Sequence, residues 1–69
     1  MNYTVIFYRL RSSDAARATI AQETVEADDL ERAMQIAKKL LDHLDAPQKP
    51  DGVAIQDAKG LELCAYDFE

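Results

Sequence analysis

Residues 28–44, DDLERAMQIAKKLLDHL, decide how the rest of the chain is read. At about 100° per residue, Leu30, Ala33, Met34, Ala37, Leu40, Leu41 and Leu44 fall within an arc of about 120°, the width of a core-facing stripe. Ile36 stands on one shoulder of that arc, and Glu31, Arg32, Gln35, Lys38, Lys39, Asp42 and His43 fill the remainder. The spacing predicts one amphipathic helix with no polar interruption of its stripe. Asp28 is the expected N-cap, and Glu31 three residues later makes a capping box with Asp in place of Ser or Thr. Asp28, Asp29 and Glu31 suit the positive end of the helix dipole, while Lys38, Lys39 and His43 suit the other end. Asp28 and Arg32 are spaced for an i, i+4 ion pair. The helix is expected to stop by Ala46, because Pro47 lacks an amide proton and disfavours helical geometry in the residue before it.

A single helix of this length is marginal in water, so its stripe needs a partner surface. The polar face is mixed in charge rather than basic, which argues against a membrane-surface helix. The flanking segments supply strands instead. Residues 3–10, YTVIFYRL, are aromatic and β-branched without a breaker. Tyr3, Val5 and Phe7 share one face, and Ile6, Tyr8 and Leu10 the other. Residues 11–17, RSSDAAR, read as a turn, since Ser12, Ser13 and Asp14 favour local side-chain to backbone bonds. Residues 18–27, ATIAQETVEA, read as a second strand, with Val25 and Ala27 inward and Ile20, Gln22 and Thr24 on the other face. Glu23 then falls on the inward phase, and a bulge near 21–23 would relieve this.

Beyond the helix, residues 45–51, DAPQKPD, hold both prolines and form a loop. Residues 52–57, GVAIQD, make a short strand with Val53 and Ile55 on one face. Asp57, Ala58, Lys59 and Gly60 form a hairpin turn in which Gly60 takes a left-handed conformation. Residues 61–68, LELCAYDF, are the fourth strand, with Leu61, Leu63 and Ala65 expected on one face and Cys64, Tyr66 and Phe68 on the other with Glu62. The expected fold is α+β, in the order β-β-α-β-β: a four-stranded antiparallel sheet, strand order 2-1-3-4, with one helix packed on one face. Residues 1–69 make a single domain.

The strands are apolar on both faces, whereas one helix covers one face. At 69 residues the chain buries only about 60% of its unfolded surface. A domain of this size often needs a staple. The single cysteine, Cys64, has no intramolecular disulfide partner, and no metal cluster is apparent. A second copy of the chain is the remaining candidate.

Hydrophobic residues make up 48% of the chain and charged residues 30%, ordinary values for a folded domain. A net charge of −5 argues against non-specific nucleic-acid binding, which runs on phosphate neutralisation by Lys and Arg. No basic stretch leads into an apolar run, and no run is long enough to span a bilayer, so the expected location is cytoplasmic. The sequon Asn2-Tyr3-Thr4 carries no weight without a secretion signal.

Reactive residue types occur singly. His43 is the only histidine and reads as a helix C-terminal group. Cys64 lies mid-strand with Glu62 and Asp67 among its strand neighbours, and a lone thiol there behaves as a small hydrophobe unless positive neighbours lower its pKa. The carboxylates cap the helix or edge turns without the density of an oxygen-ligand metal loop. Two glycines exclude a glycine-rich phosphate loop. Tyr3, Phe7 and Tyr8 could stack bases on an open sheet face, but the net charge opposes it. Arg9, Arg11 and Arg17 cluster around the first turn and offer either an anion contact or a solvated loop.

The run VEADDLERAMQIAKKLL followed by DGVAIQDAKGLEL resembles small bacterial β-β-α-β-β proteins of unassigned function, in which a strand enters a capped helix and a final hairpin turns on a D-A-x-G step. That resemblance implies the fold and no site. The first strand NYTVIFY, followed later by the helix DDLERAMQIAKKLLDHL, resembles the N-terminal region of HicB-type antitoxins, whose members bind a small RNase toxin and often carry a DNA-binding segment. This chain lacks the glycine- and proline-bearing strands expected between Leu10 and Val25, and no DNA-binding segment follows, so no residue role is carried over. The expected function is that of a small non-enzymatic protein acting through surface interactions. It would self-associate as a homodimer through the sheet face opposite the helix, by way of Ile6, Tyr8, Ile20, Tyr66 and Phe68. The alternative is an antitoxin- or adaptor-like module for another protein partner. No cofactor, metal, nucleic acid or membrane is expected.

Overall fold

The structure, a computed structural model, describes residues 1–43 and 49–68. Four strands and one helix follow one another as β1 (Asn2–Leu10), β2 (Arg17–Glu26), α1 (Leu30–Asp42), β3 (Gly52–Gln56) and β4 (Glu62–Asp67). The strands form one sheet in the order β2-β1-β3-β4, every neighbouring pair antiparallel. The β-β-α-β-β arrangement and the 2-1-3-4 order expected from the sequence are both present.

Because side chains alternate across a pleated strand, the register sorts the sheet into two faces. On the helix side, one row joins Ala21, Phe7, Val53 and Tyr66, and the next joins Glu23, Val5, Ile55 and Cys64. Tyr3, Val5, Phe7, Val53 and Ile55 are almost wholly buried there, together with Ala27, Ala33 and Ala37. The helix presents its two alanines to the sheet and lies over β1, β2 and β3. The larger members of its stripe, Leu30, Met34, Leu40 and Leu41, pack around them half-buried, with Ile36. Small side chains in the middle let the helix axis approach closely while long ones seal the flanks. Leu44, Ala46 and Pro47 lie outside the described residues.

Two local expectations are corrected. The N-cap is Asp29, not Asp28: Asp29 Oδ1 accepts the Arg32 N–H at 2.8 Å. The Ala27 N–H still donates to the Met1 carbonyl at 2.9 Å, so strand geometry runs on past Glu26 and moves the cap one residue later. Glu31 therefore only contributes charge to the first turn, and Arg32 donates to Gln35 at 3.1 Å rather than pairing with Asp28. The bulge in β2 falls at Ile20, between the pairs Phe7↔Ala21 and Tyr8↔Thr19. It leaves Glu23 on the helix-side phase opposite Val5, where Glu23 stays exposed because β2 is an edge strand. A second bulge falls at Leu63, between Ile55↔Cys64 and Gln56↔Glu62, and it puts Glu62 on the face opposite the helix rather than with Cys64 and Tyr66 as expected. Both turns are locally fixed. Asp14 accepts the Ala16 N–H at 3.0 Å beside Ala15 at φ 58°, and Asp57 accepts from Lys59 and Leu61, each at 2.9 Å, around Gly60 at φ 89°.

Candidate interaction face

The sheet face opposite the helix is built from three four-strand rows. The central row runs Gln22, Ile6, Ala54, Ala65. On one side of it lies Thr24, Thr4, Gln56, Glu62; on the other, Thr19, Tyr8, Gly52, Asp67. Among the described residues no helix or strand lies over these rows.

Tyr8 and Gly52 are direct cross-strand partners, and the absent side chain of Gly52 is what lets the phenol ring lie down. A Cβ at position 52 would overlap the Tyr8 phenol and stand 2.6 Å from the Tyr66 carbonyl oxygen. Laid across β3, the Tyr8 hydroxyl reaches β4 and donates to Asp67 Oδ1 at 2.6 Å. Arg17 covers the ring from the other edge, its guanidinium carbon 4.8 Å from the ring centroid, and donates through Nη1 to Glu62 Oε1 at 2.6 Å. Register sets Arg17 and Glu62 at diagonally opposite corners of the sheet, and the twist of the sheet curls those corners toward each other over Tyr8. Tyr8 is consequently only 2% exposed although no secondary-structure element covers it. Burial, reinforced by the hydrogen bond to Asp67, pushes its hydroxyl pKa up to about 12.

Of the five residues expected to share this face, the structure puts two there. Ile6 lies in its central row, half-buried, and Tyr8 lies under the Arg17–Glu62 clasp. Tyr66 pairs with Val53, and so turns to the helix side, where it meets Phe68 edge-on with ring centroids 5.8 Å apart. Both pack against the main core, as does Ile20, which the β2 bulge turns away from Gln22 and Thr24. Alternation within one strand could not assign β4, because its phase relative to β1 is set only by pairing through β3. The partners of Tyr8 went unrecognised in the sequence for the same reason: Arg17, Glu62 and Asp67 are distant along the chain. The isolated Gly52 at a strand start was the one local signal of a close approach.

The three arginines do not converge. Arg17 is held by Glu62, Arg11 by Asp14, and Arg9 stands 3.8 Å from Asp51. Asp51 also knits the adjoining chain ends: its Oδ2 accepts the Leu10 N–H at 2.8 Å, its N–H donates to the Tyr8 carbonyl and its carbonyl accepts the Phe68 N–H. An open cleft of about 250 Å³ lies beside it, lined by Arg9, Lys49, Pro50, Asp51 and Phe68. Cys64 is half-buried on the helix side, where burial and the neighbouring Glu62 raise its thiol pKa. Among the described residues no three His, Cys, Asp or Glu side chains group as metal ligands, and no helix is long and apolar enough to cross a membrane. Comparison of the chain with protein-family models, curated proteins and solved structures gives no match.

Proposed function

We propose that this protein is a small non-catalytic interaction module, and that it works by associating with a second copy of itself through the sheet face opposite the helix. The observation that carries this reading is the central row of that face. Ile6, Ala54 and Ala65 form an apolar row across three strands, with Ile6 and Ala65 half-buried and Ala54 buried, framed by the uncharged Gln22, Thr4, Thr24 and Gln56 and, at the margins of the face, by Glu62, Asp67 and Arg17. An apolar centre inside a polar and charged rim is the composition of an interface. A two-fold contact would set this face against the same face of a second copy. The raised thiol pKa of Cys64 favours its protonated, poorly nucleophilic form, in keeping with a role that does not use it chemically.

The test is light scattering after size exclusion at tens of micromolar protein, on the wild type and on Ile6→Lys. Ile6 lies on the open face, so a lysine there can extend into water. The expected result is a particle mass that halves in the variant while its circular dichroism stays that of the folded protein. A mass unchanged by Ile6→Lys would refute the face as the contact.

A further inference from the structure

The two edges of the sheet are not alike. Each edge strand carries one bulge, at Leu63 in β4 and at Ile20 in β2, but β4 is only six residues long, which blunts it as a pairing edge. β2 is ten residues long, contains neither Lys nor Pro, and has β1 as its only strand neighbour among the described residues. A strand of that length with a free backbone edge is a template for another strand.

We infer that β2 is a docking edge for β2 of a second copy, giving one continuous eight-stranded sheet. The register follows from parity. Residues opposite each other in an antiparallel pair must point to the same face, so a two-fold axis has to pass through a residue. With the axis at Gln22, Gln22 faces Gln22 of the second copy and Ala21 faces Glu23. The bulge at Ile20 then shifts the phase by one, as it does against β1. Beyond it Thr19 faces Thr24, Ala18 faces Val25 and Arg17 faces Glu26. Every pair in this arrangement is consistent in face: Thr19, Thr24, Arg17 and Glu26 lie opposite the helix, and Ala18 and Val25 on its side.

The pairings are chemically matched as well. Threonine opposite threonine and arginine opposite glutamate are favourable cross-strand pairs, and the two-fold axis makes each occur twice. Arg17 gives Nη1 to Glu62 and keeps a side chain 45% exposed, so further N–H donors remain for Glu26 of the second copy. Complementary charge at both ends, Arg17 against Glu26, distinguishes a second copy from an arbitrary peptide strand as occupant. The axis stands perpendicular to the sheet, so both helices fall on the same side and the two Gln22–Ile6–Ala54–Ala65 rows join end to end. This contact does not depend on the face contact proposed above; where both form with intersecting, perpendicular axes, the assembly closes as a tetramer.

Cross-linking tests it in the full-length protein with Cys64→Ala. Gln22→Cys puts two thiols across the axis with Cα atoms about 5 Å apart, within disulfide reach. Thr24→Cys puts them about 14 Å apart along the strands, beyond it. Mild oxidation should convert Gln22→Cys, and not Thr24→Cys, to a covalent dimer. In the wild-type background, Thr19→Lys with Thr24→Lys sets lysine against lysine twice on exposed positions; the dissociation constant should rise at least tenfold with the circular dichroism unchanged. Equal cross-linking of the two cysteine variants, cross-linking of neither, or an assembly whose mass the lysine pair leaves intact would overturn the edge contact. In the last case a mass that responds to Ile6→Lys would identify the sheet face as the contact instead. A protein monomeric at 100 μM would overturn both.

Discussion

Removing one oxygen atom, by Tyr8→Phe, tests how the face opposite the helix is held. The hydroxyl lost is 2.6 Å from Asp67 Oδ1, a short bond to an ionised acceptor, on a ring only 2% exposed. Such a bond contributes about 1.5 kcal/mol net, and because Asp67 is exposed its carboxylate rehydrates when the donor goes. The expected cost near pH 8 is therefore about 1 to 1.5 kcal/mol. The same geometry predicts an alkaline signature. The folded-state pKa of Tyr8 stands at about 12, above its ordinary value of 10.0. The protonated phenol is the form that the folded state favours, so the associated stability is complete below pH 10. It falls as pH rises from 10 through 12, where the unfolded chain ionises and the folded one resists. For a shift of that size the loss reaches about 2 kcal/mol at pH 12, as an order of magnitude. The assay is urea denaturation of wild type and Tyr8→Phe from pH 8 to pH 12, with tyrosinate absorbance followed in parallel. The wild type should lead at pH 8, and the lead should disappear between pH 10 and 12. A late tyrosinate step in the wild type should be missing from the variant. Equal stability at pH 8, with a gap that stays level to pH 12, would refute the Tyr8–Asp67 argument.

Gly52→Ala should be among the most damaging single-carbon additions, because the new methyl meets the Tyr8 phenol and the Tyr66 carbonyl oxygen together. Overpacking of this kind costs about 1 to 3 kcal/mol, which in a domain this small lowers the melting temperature by roughly 5 to 20 °C in a thermal scan. Asp29→Ala and Asp28→Ala separate the two possible caps: the first should cost about 1 kcal/mol in chemical denaturation and the second little, since Asp29 alone accepts the Arg32 amide.

The sequence by itself determined the element order and the amphipathic helix, and it made 2-1-3-4 the preferred strand order because that order keeps every neighbouring pair antiparallel; the structure decided it. These rest on short-range periodicity, on turn residues such as Asp57 and Gly60, and on two connections, β1–β2 and β3–β4, too short for anything but hairpins. It also exposed the mismatch between one helix and strands apolar on both faces. Tertiary structure alone decided how that mismatch is resolved within the chain: Tyr8 lies over Gly52, bonded to Asp67 and covered by Arg17 and Glu62. It also decided that Tyr66, Phe68 and Ile20 join the helix-side core, leaving Ile6 at the centre of the open face. The physical reason is that alternation tells which residues of a strand share a face but not which face that is. That choice is made by the register between strands far apart in the chain, by one bulge residue at Ile20, and by a twist that brings opposite corners of the sheet together.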